Sequence, residues 1–306
     1  MKAKYMIFAA ILLLSACNDS EVFEKEQYKH VFSFISDADH ITKKMFNLSD
    51  SIRTGYIALS MGGSNPTGAD VTVDIVKAPD VLNQYNLSQF EYAVDKYAKM
   101  LPESNYEIPT LKCVIKAGEI GGAIPFTVHP EGLSPDSVYY LPLKINGYNR
   151  YEVNPARNYL LYQIQIENTW AKGTTNGSQY TMSALRYENG STSAVSVPGT
   201  KALYPISAKR VRTMVGNESF DGKRANLDLL AIYLDIADDG KVTIRPYKDI
   251  DVTQLDGDED YPNKYFLEKT SYNKNKYHNF LLHYKYTSGS NSYEIKEELR
   301  MQIIDN

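Results

Sequence analysis

Three carboxylates at alternate positions, Asp256, Asp258 and Asp260 in the run Asp256-Gly257-Asp258-Glu259-Asp260, can offer hard oxygen ligands to calcium. An EF-hand loop starting at Asp256 would need glycine at its sixth position and an acid at its twelfth, where Tyr261 and Leu267 stand. A solvated acidic loop accounts for the same residues. A second constellation lies mid-chain, where Trp170 is flanked by Asn168, Thr169 and Lys172, with Tyr148 and Tyr151 shortly before. An exposed indole beside hydrogen-bonding groups grips sugars by stacking and directional bonds, and a wedge packed between two domains uses the same residues. Glu297 sits on an otherwise apolar strand face, so it marks a bulge or a paired core charge. There is no G-x-S-x-G elbow, H-E-x-x-H pair or Walker loop. His278 and His283, an odd number of residues apart, fall on opposite faces of one strand and do not share a metal.

The elements that must position these groups are bounded by composition. A chain of 306 residues accommodates two domains of about 100 to 150 residues, hence two cores. The formal charge of -4 becomes more negative once Lys2 and Lys4 are removed with a leader, which leaves no basic stripe and argues against nucleic acid as a partner. Of the two cysteines, Cys113 lies alone in an alternating run and reads as a small buried hydrophobe. Tyrosine is abundant, with 25 residues against one tryptophan, which suits half-buried sheet faces and, in a sharper reading, a carbohydrate-binding surface.

Lys2 and Lys4 precede nine apolar residues, Met6 to Leu14, too few to span a bilayer but enough for the core of a signal peptide. Leu14-Ser15-Ala16-Cys17 then resembles the lipobox of bacterial lipoprotein precursors. It implies cleavage after residues 1–16, lipidation of Cys17 and a polar tether over residues 17–29. Fatty chains at Cys17, palmitate among them, contribute about 0.8 kcal/mol per buried methylene and would hold the protein to a membrane. Asn18, Asp19 and Glu21 resemble the export signal of Bacteroidetes surface lipoproteins, which implies a place on the outer membrane facing the exterior, with a periplasmic face as the alternative.

The pattern is all-β. Strands are expected at Val31–Phe34, Tyr56–Met61, Val71–Val76, Leu111–Lys116, Ala123–Val128, Val138–Ile145 and Tyr159–Ile166, forming a sandwich over residues 30–167. One helix is expected to start at Ser88, whose spacing to Glu91 matches a capping box, and to run through Phe90, Val94, Tyr97 and Leu101 to Pro102. Over residues 168–306, Tyr180–Tyr187, a hairpin of Leu227–Ile236 with Lys241–Tyr247, His278–Tyr286 and Tyr293–Ile303 predict an antiparallel barrel. For the last segment a helix over Glu294–Ile304 competes, and the period of two favours the strand.

These features resemble a known pair of domains. Tyr56 to Val73, Leu82-Asn83-Gln84-Tyr85-Asn86, Leu101 to Tyr106 and Tyr140-Leu141-Pro142-Leu143 look like an immunoglobulin-like N-terminal domain of Bacteroidetes surface lipoproteins, found also before some endo-β-N-acetylglucosaminidase catalytic domains. Tyr277 to Tyr286 with Tyr293 to Leu299 is similar to a C-terminal family with a lipocalin-like barrel. The resemblance implies a non-catalytic glycan-binding protein of a polysaccharide-utilisation system, without a cofactor and with outer-membrane transporter proteins as partners. A structural or adhesive surface protein, or an accessory transporter subunit, is the alternative.

Overall fold

A computed structural model describes residues 30–63, 65–270 and 275–304. The leader, Cys17 and the tether lie outside the described residues. The N-terminal part packs two sheets face to face. One has five strands in the order Glu152–Val153, Val31–Phe34, Thr54–Gly62, Gly121–Val128 and Tyr106–Glu107. The other runs Ile41–Asn47, Tyr159–Glu167, Tyr139–Tyr148, Val71–Lys77 and Lys112–Ile115. Alternation explains the pairing: Val71, Val73 and Ile75 face inward with Ile57, Leu59, Phe32 and Phe34, all buried. Each such side chain contributes about 1.5–3 kcal/mol on leaving water. Cys113 is buried in this core, where burial pushes its thiol up to about 11 and leaves it a packing residue. A strand without an expected counterpart, Ile41–Asn47, pairs in parallel at the sheet edge and keeps Lys43 and Lys44 in solvent, so no period of two appears.

The helix is displaced from its expected place. Helix α1 spans Pro79–Phe90, with proline at its start, and ends where Glu91 adopts a left-handed backbone (φ 49°). Ser88 is therefore an interior residue, and its hydroxyl donates to the Tyr85 carbonyl instead of capping. Buried Asn86 decides the register, because its side chain donates to the Ala98 carbonyl (2.9 Å) and accepts from the Ala98 amide (2.9 Å). That pair holds the following segment extended, so Leu101 enters the sandwich core rather than a helical face.

The second part is one strongly curled antiparallel sheet in the order Val242–Pro246, Ala231–Ile236, Arg210–Met214, Gly199–Ser207, Ser178–Glu188, Asn291–Ile303, Lys276–Ser288 and Val252–Gln254. Lys264–Lys269 pairs along Lys276–Ser288, and the ends nearly meet. The Val242 amide donates to the Asn263 carbonyl, and that of Tyr265 to Gly240, each at 2.8 Å. The final segment is a strand, as its alternation predicts. Leu227 to Leu230 belongs instead to a short helix, α2 (Arg224–Leu230), which packs Leu227 against Met214 and Ala231 outside the barrel; the strand starts only at Ala231. Gly240 closes the hairpin at φ 83°, and a β-carbon there would stand 2.4 Å from the Tyr265 carbonyl oxygen.

The lipocalin-like barrel is filled. Tyr180, Phe280, Leu282, Tyr284, Ile295 and Leu299 are fully buried within it. Among them lies an ion pair: Lys201 Nζ stands 2.5 Å from Glu297 Oε2. The Tyr284 hydroxyl donates to Glu297 Oε1 (3.0 Å) and accepts from the Gly216 amide (3.1 Å). Glu297 is thus a paired core charge, and its strand runs past both neighbours without a register shift.

Candidate functional site

The junction that carries Trp170 is built by Asn168. Its side-chain oxygen accepts from the amides of Trp170 (3.1 Å) and Ala171 (2.9 Å), while its nitrogen donates to the carbonyls of Ser207 (2.8 Å) and Arg210 (3.0 Å). This turn swings the indole into the barrel core, where it is 8% exposed and meets Tyr265 edge-on at 5.6 Å. The exposed-indole expectation is therefore corrected: Trp170 is a packed residue whose margin reaches solvent. Its Nε1–H is buried without a well-formed hydrogen bond, and the Tyr265 hydroxyl is hydrogen-bonded with His278 Nδ1 at 2.9 Å.

The structure does not bring Tyr148 and Tyr151 to this junction. Tyr139 pairs with Ile164 near it, whereas Tyr148 lies nine residues farther along the same strand, about 30 Å away at ordinary strand rise. There Tyr148 leans edge-on against Phe32 and Tyr151 stacks on His30. Lys172 does remain beside Trp170, exposed on the wall of a hollow of about 500 Å³ that also includes Glu167, Ser178 and His278.

On the other side of Trp170 a cleft of about 640 Å³ opens between sandwich and barrel. Its rings are Trp170, Tyr265 and partly exposed Phe266. Its polar wall carries Asp50, Lys209, Asp238, Asp239 and Lys264. Arg53 is held in place by Glu131 and by the carbonyls of Asn47 and Leu48, and Lys209 pairs with Asp238 at 2.6 Å. Aromatic faces beside carboxylates and amines suit a hydroxyl-rich ligand. Phe266 leaves no periodic signal in the sequence, because Lys264–Lys269, paired along Lys276–Ser288, has a mostly exposed, non-alternating burial pattern.

The acidic run does not converge on a cation. Asp256 Oδ1 accepts from Gln254 (2.7 Å) and Asn263 (3.3 Å), and Asp258 accepts from the amides of Asp260 and Tyr261 while pairing with Lys296 at 2.5 Å. The Lys296 ammonium holds the Asp258 carboxyl below its usual range. Among the described residues no three His, Cys, Asp or Glu side chains gather in a metal-holding group. His283 faces outward toward Asp258 and Glu294 while His278 faces the barrel interior, so the two occupy opposite faces.

Burial pushes the His278 imidazole from 6.5 down to about 4. The unfolded chain takes up this proton first, so the contribution of His278 to stability is complete above about pH 6.5 and is lost as the pH falls towards 4. The loss should amount to about 3 kcal/mol across that window. Urea denaturation from pH 4 to 7 should show a shallower pH slope for His278→Gln, and an unchanged slope would refute this assignment.

Similarity to known proteins follows the two-part architecture. One family model, described as an N-terminal domain, matches residues 25–152, and a second, described as a C-terminal domain, matches residues 158–300. The chain carries both of these family domains, which together span most of its length. Solved structures share the fold of the family across both parts. A Bacteroides ovatus protein of unknown function superposes with a TM-score of 0.68 at 16% identity, covering 89% of this chain and 94% of the other. Another from Bacteroides ovatus, also of unknown function, gives 0.64 at 16% identity over 92% and 93%. An auxiliary nutrient-binding protein from Bacteroides thetaiotaomicron gives 0.58 at 16% identity over 88% and 94%. No curated protein matches the chain.

Proposed function

We propose that this protein is a non-catalytic, lipid-anchored nutrient-binding protein of the outer cell surface, and that its nutrient is a glycan. The observation that carries this reading is the interdomain cleft, whose volume falls in the range of small-molecule sites and whose lining combines Phe266 and Tyr265 with Asp50, Asp239 and Lys264. The fold shared with an auxiliary nutrient-binding protein supports it. The lipobox at Cys17 supplies the anchor, and among the described residues no helix is long and apolar enough to cross a membrane. A transporter of the outer membrane is the partner to which captured glycan would pass.

Calorimetric titration of residues 20–306 against a broad glycan panel tests this reading. Binding is expected, and Phe266→Ala should weaken it about tenfold, the worth of one stacking ring, without altering the circular dichroism spectrum. Silence across the panel would reject the glycan. Palmitate labelling of the full chain that survives Cys17→Ser would reject the anchor.

A further inference from the structure

A second groove lies on the outer face of the barrel and runs into the domain seam. Strands Gly199–Ser207 and Arg210–Met214 form its floor, with Thr200, Tyr204 and Met214 among the lining. One wall comes from Phe220 and helix α2, the other from Asn176 and Gln179, and the hollow has a volume of about 580 Å³. Past Tyr204 and Phe220 it continues into a hollow of about 190 Å³ lined by Ser137, Gln163 and Gln165 of the sandwich.

The charges along this groove are largely neutralised within the protein. Arg212 is 2% exposed, grips Asp136 with two bonds (2.6 and 2.5 Å) and lies between the rings of Tyr204 and Tyr247. Lys201 is committed to Glu297. Glu218 is the one other charged residue in the lining. What remains is amides and hydroxyls, which both donate and accept, beside two aromatic rings. An anionic polymer finds no spare cation here, whereas sugar hydroxyls match the amides and their C–H faces match Tyr204 and Phe220.

We propose that this groove is a second binding site, for a neutral oligosaccharide laid from the outer barrel wall into the seam. It is separate from the Phe266 cleft, whose lining is charged. Short neutral oligosaccharides of the cello, malto and manno series, titrated by calorimetry, provide the test. Gln179→Ala, an exposed position, and Phe220→Ala should each weaken binding of the recognised series about tenfold, while Phe266→Ala leaves that binding unchanged. Phe220 packs beside Met214 and Leu227, so Gln179→Ala keeps the test decisive if the other variant misfolds. Neutral chains that fail to bind while charged glycans bind, or neutral binding lost only in Phe266→Ala, would overturn the second site and leave the cleft reading intact. Failure of every glycan would overturn both.

Discussion

Lys201→Met is expected to destabilise the barrel by about 3–5 kcal/mol, because it leaves the Glu297 carboxylate buried with one tyrosine hydroxyl for company. Both charges are almost wholly removed from water, Lys201 at 3% exposure and Glu297 at 0%. Burial pulls the Lys201 ammonium below the usual lysine range, and the Glu297 charge works against that shift. Removing both should therefore be far milder than removing one. The double variant Lys201→Met with Glu297→Leu is expected to recover most of the loss, since an apolar pair of similar volume avoids desolvating two ions. Urea denaturation of the two single variants and the double variant forms a complete cycle. Additive losses would show that the two residues act independently and would refute the pairing argument.

Asp136→Ala is expected to cost about 2–4 kcal/mol and to loosen the seam between the two parts of the molecule. The Arg212 guanidinium is fully charged, buried and forked onto this one carboxylate, which comes from the loop before Tyr139–Tyr148. Without Asp136 it keeps only the faces of Tyr204 and Tyr247, a weaker interaction than two charge-assisted hydrogen bonds. Calorimetric melting should show an earlier onset, and limited proteolysis should show new cleavage near residues 167–178. A melting profile identical to that of the parent would mean that the fork contributes nothing.

Most sandwich strands were legible because their residues alternate in a way that only a half-buried strand satisfies, as in Val71–Lys77 and Thr54–Gly62. Where burial does not alternate, the signal vanished: Ile41–Asn47 is an edge, and Lys264–Lys269 is a mostly exposed strand paired along Lys276–Ser288. The helix was misplaced because Ser88 and Glu91 imitate a capping box, whereas the true register is set by Asn86 reaching Ala98, a contact between segments. Glu297 announced itself as an odd charge on an apolar face. Its partner, 96 residues away, left no local trace. The junction around Trp170 was legible as a place but not as a geometry, because burial of the indole depends on the two carbonyls that Asn168 reaches across the chain. Tyr148 and Tyr151 are near in sequence, and a whole strand length separates them from the junction.

Trp170 is the sole indole of the chain, sealed against Tyr265 where two hollows meet. Its ultraviolet fluorescence is therefore a built-in optical gauge of the seam, with a short emission wavelength while the ring stays dry and a red shift when water reaches Nε1. The protein carries its own dye at the place where its two halves join.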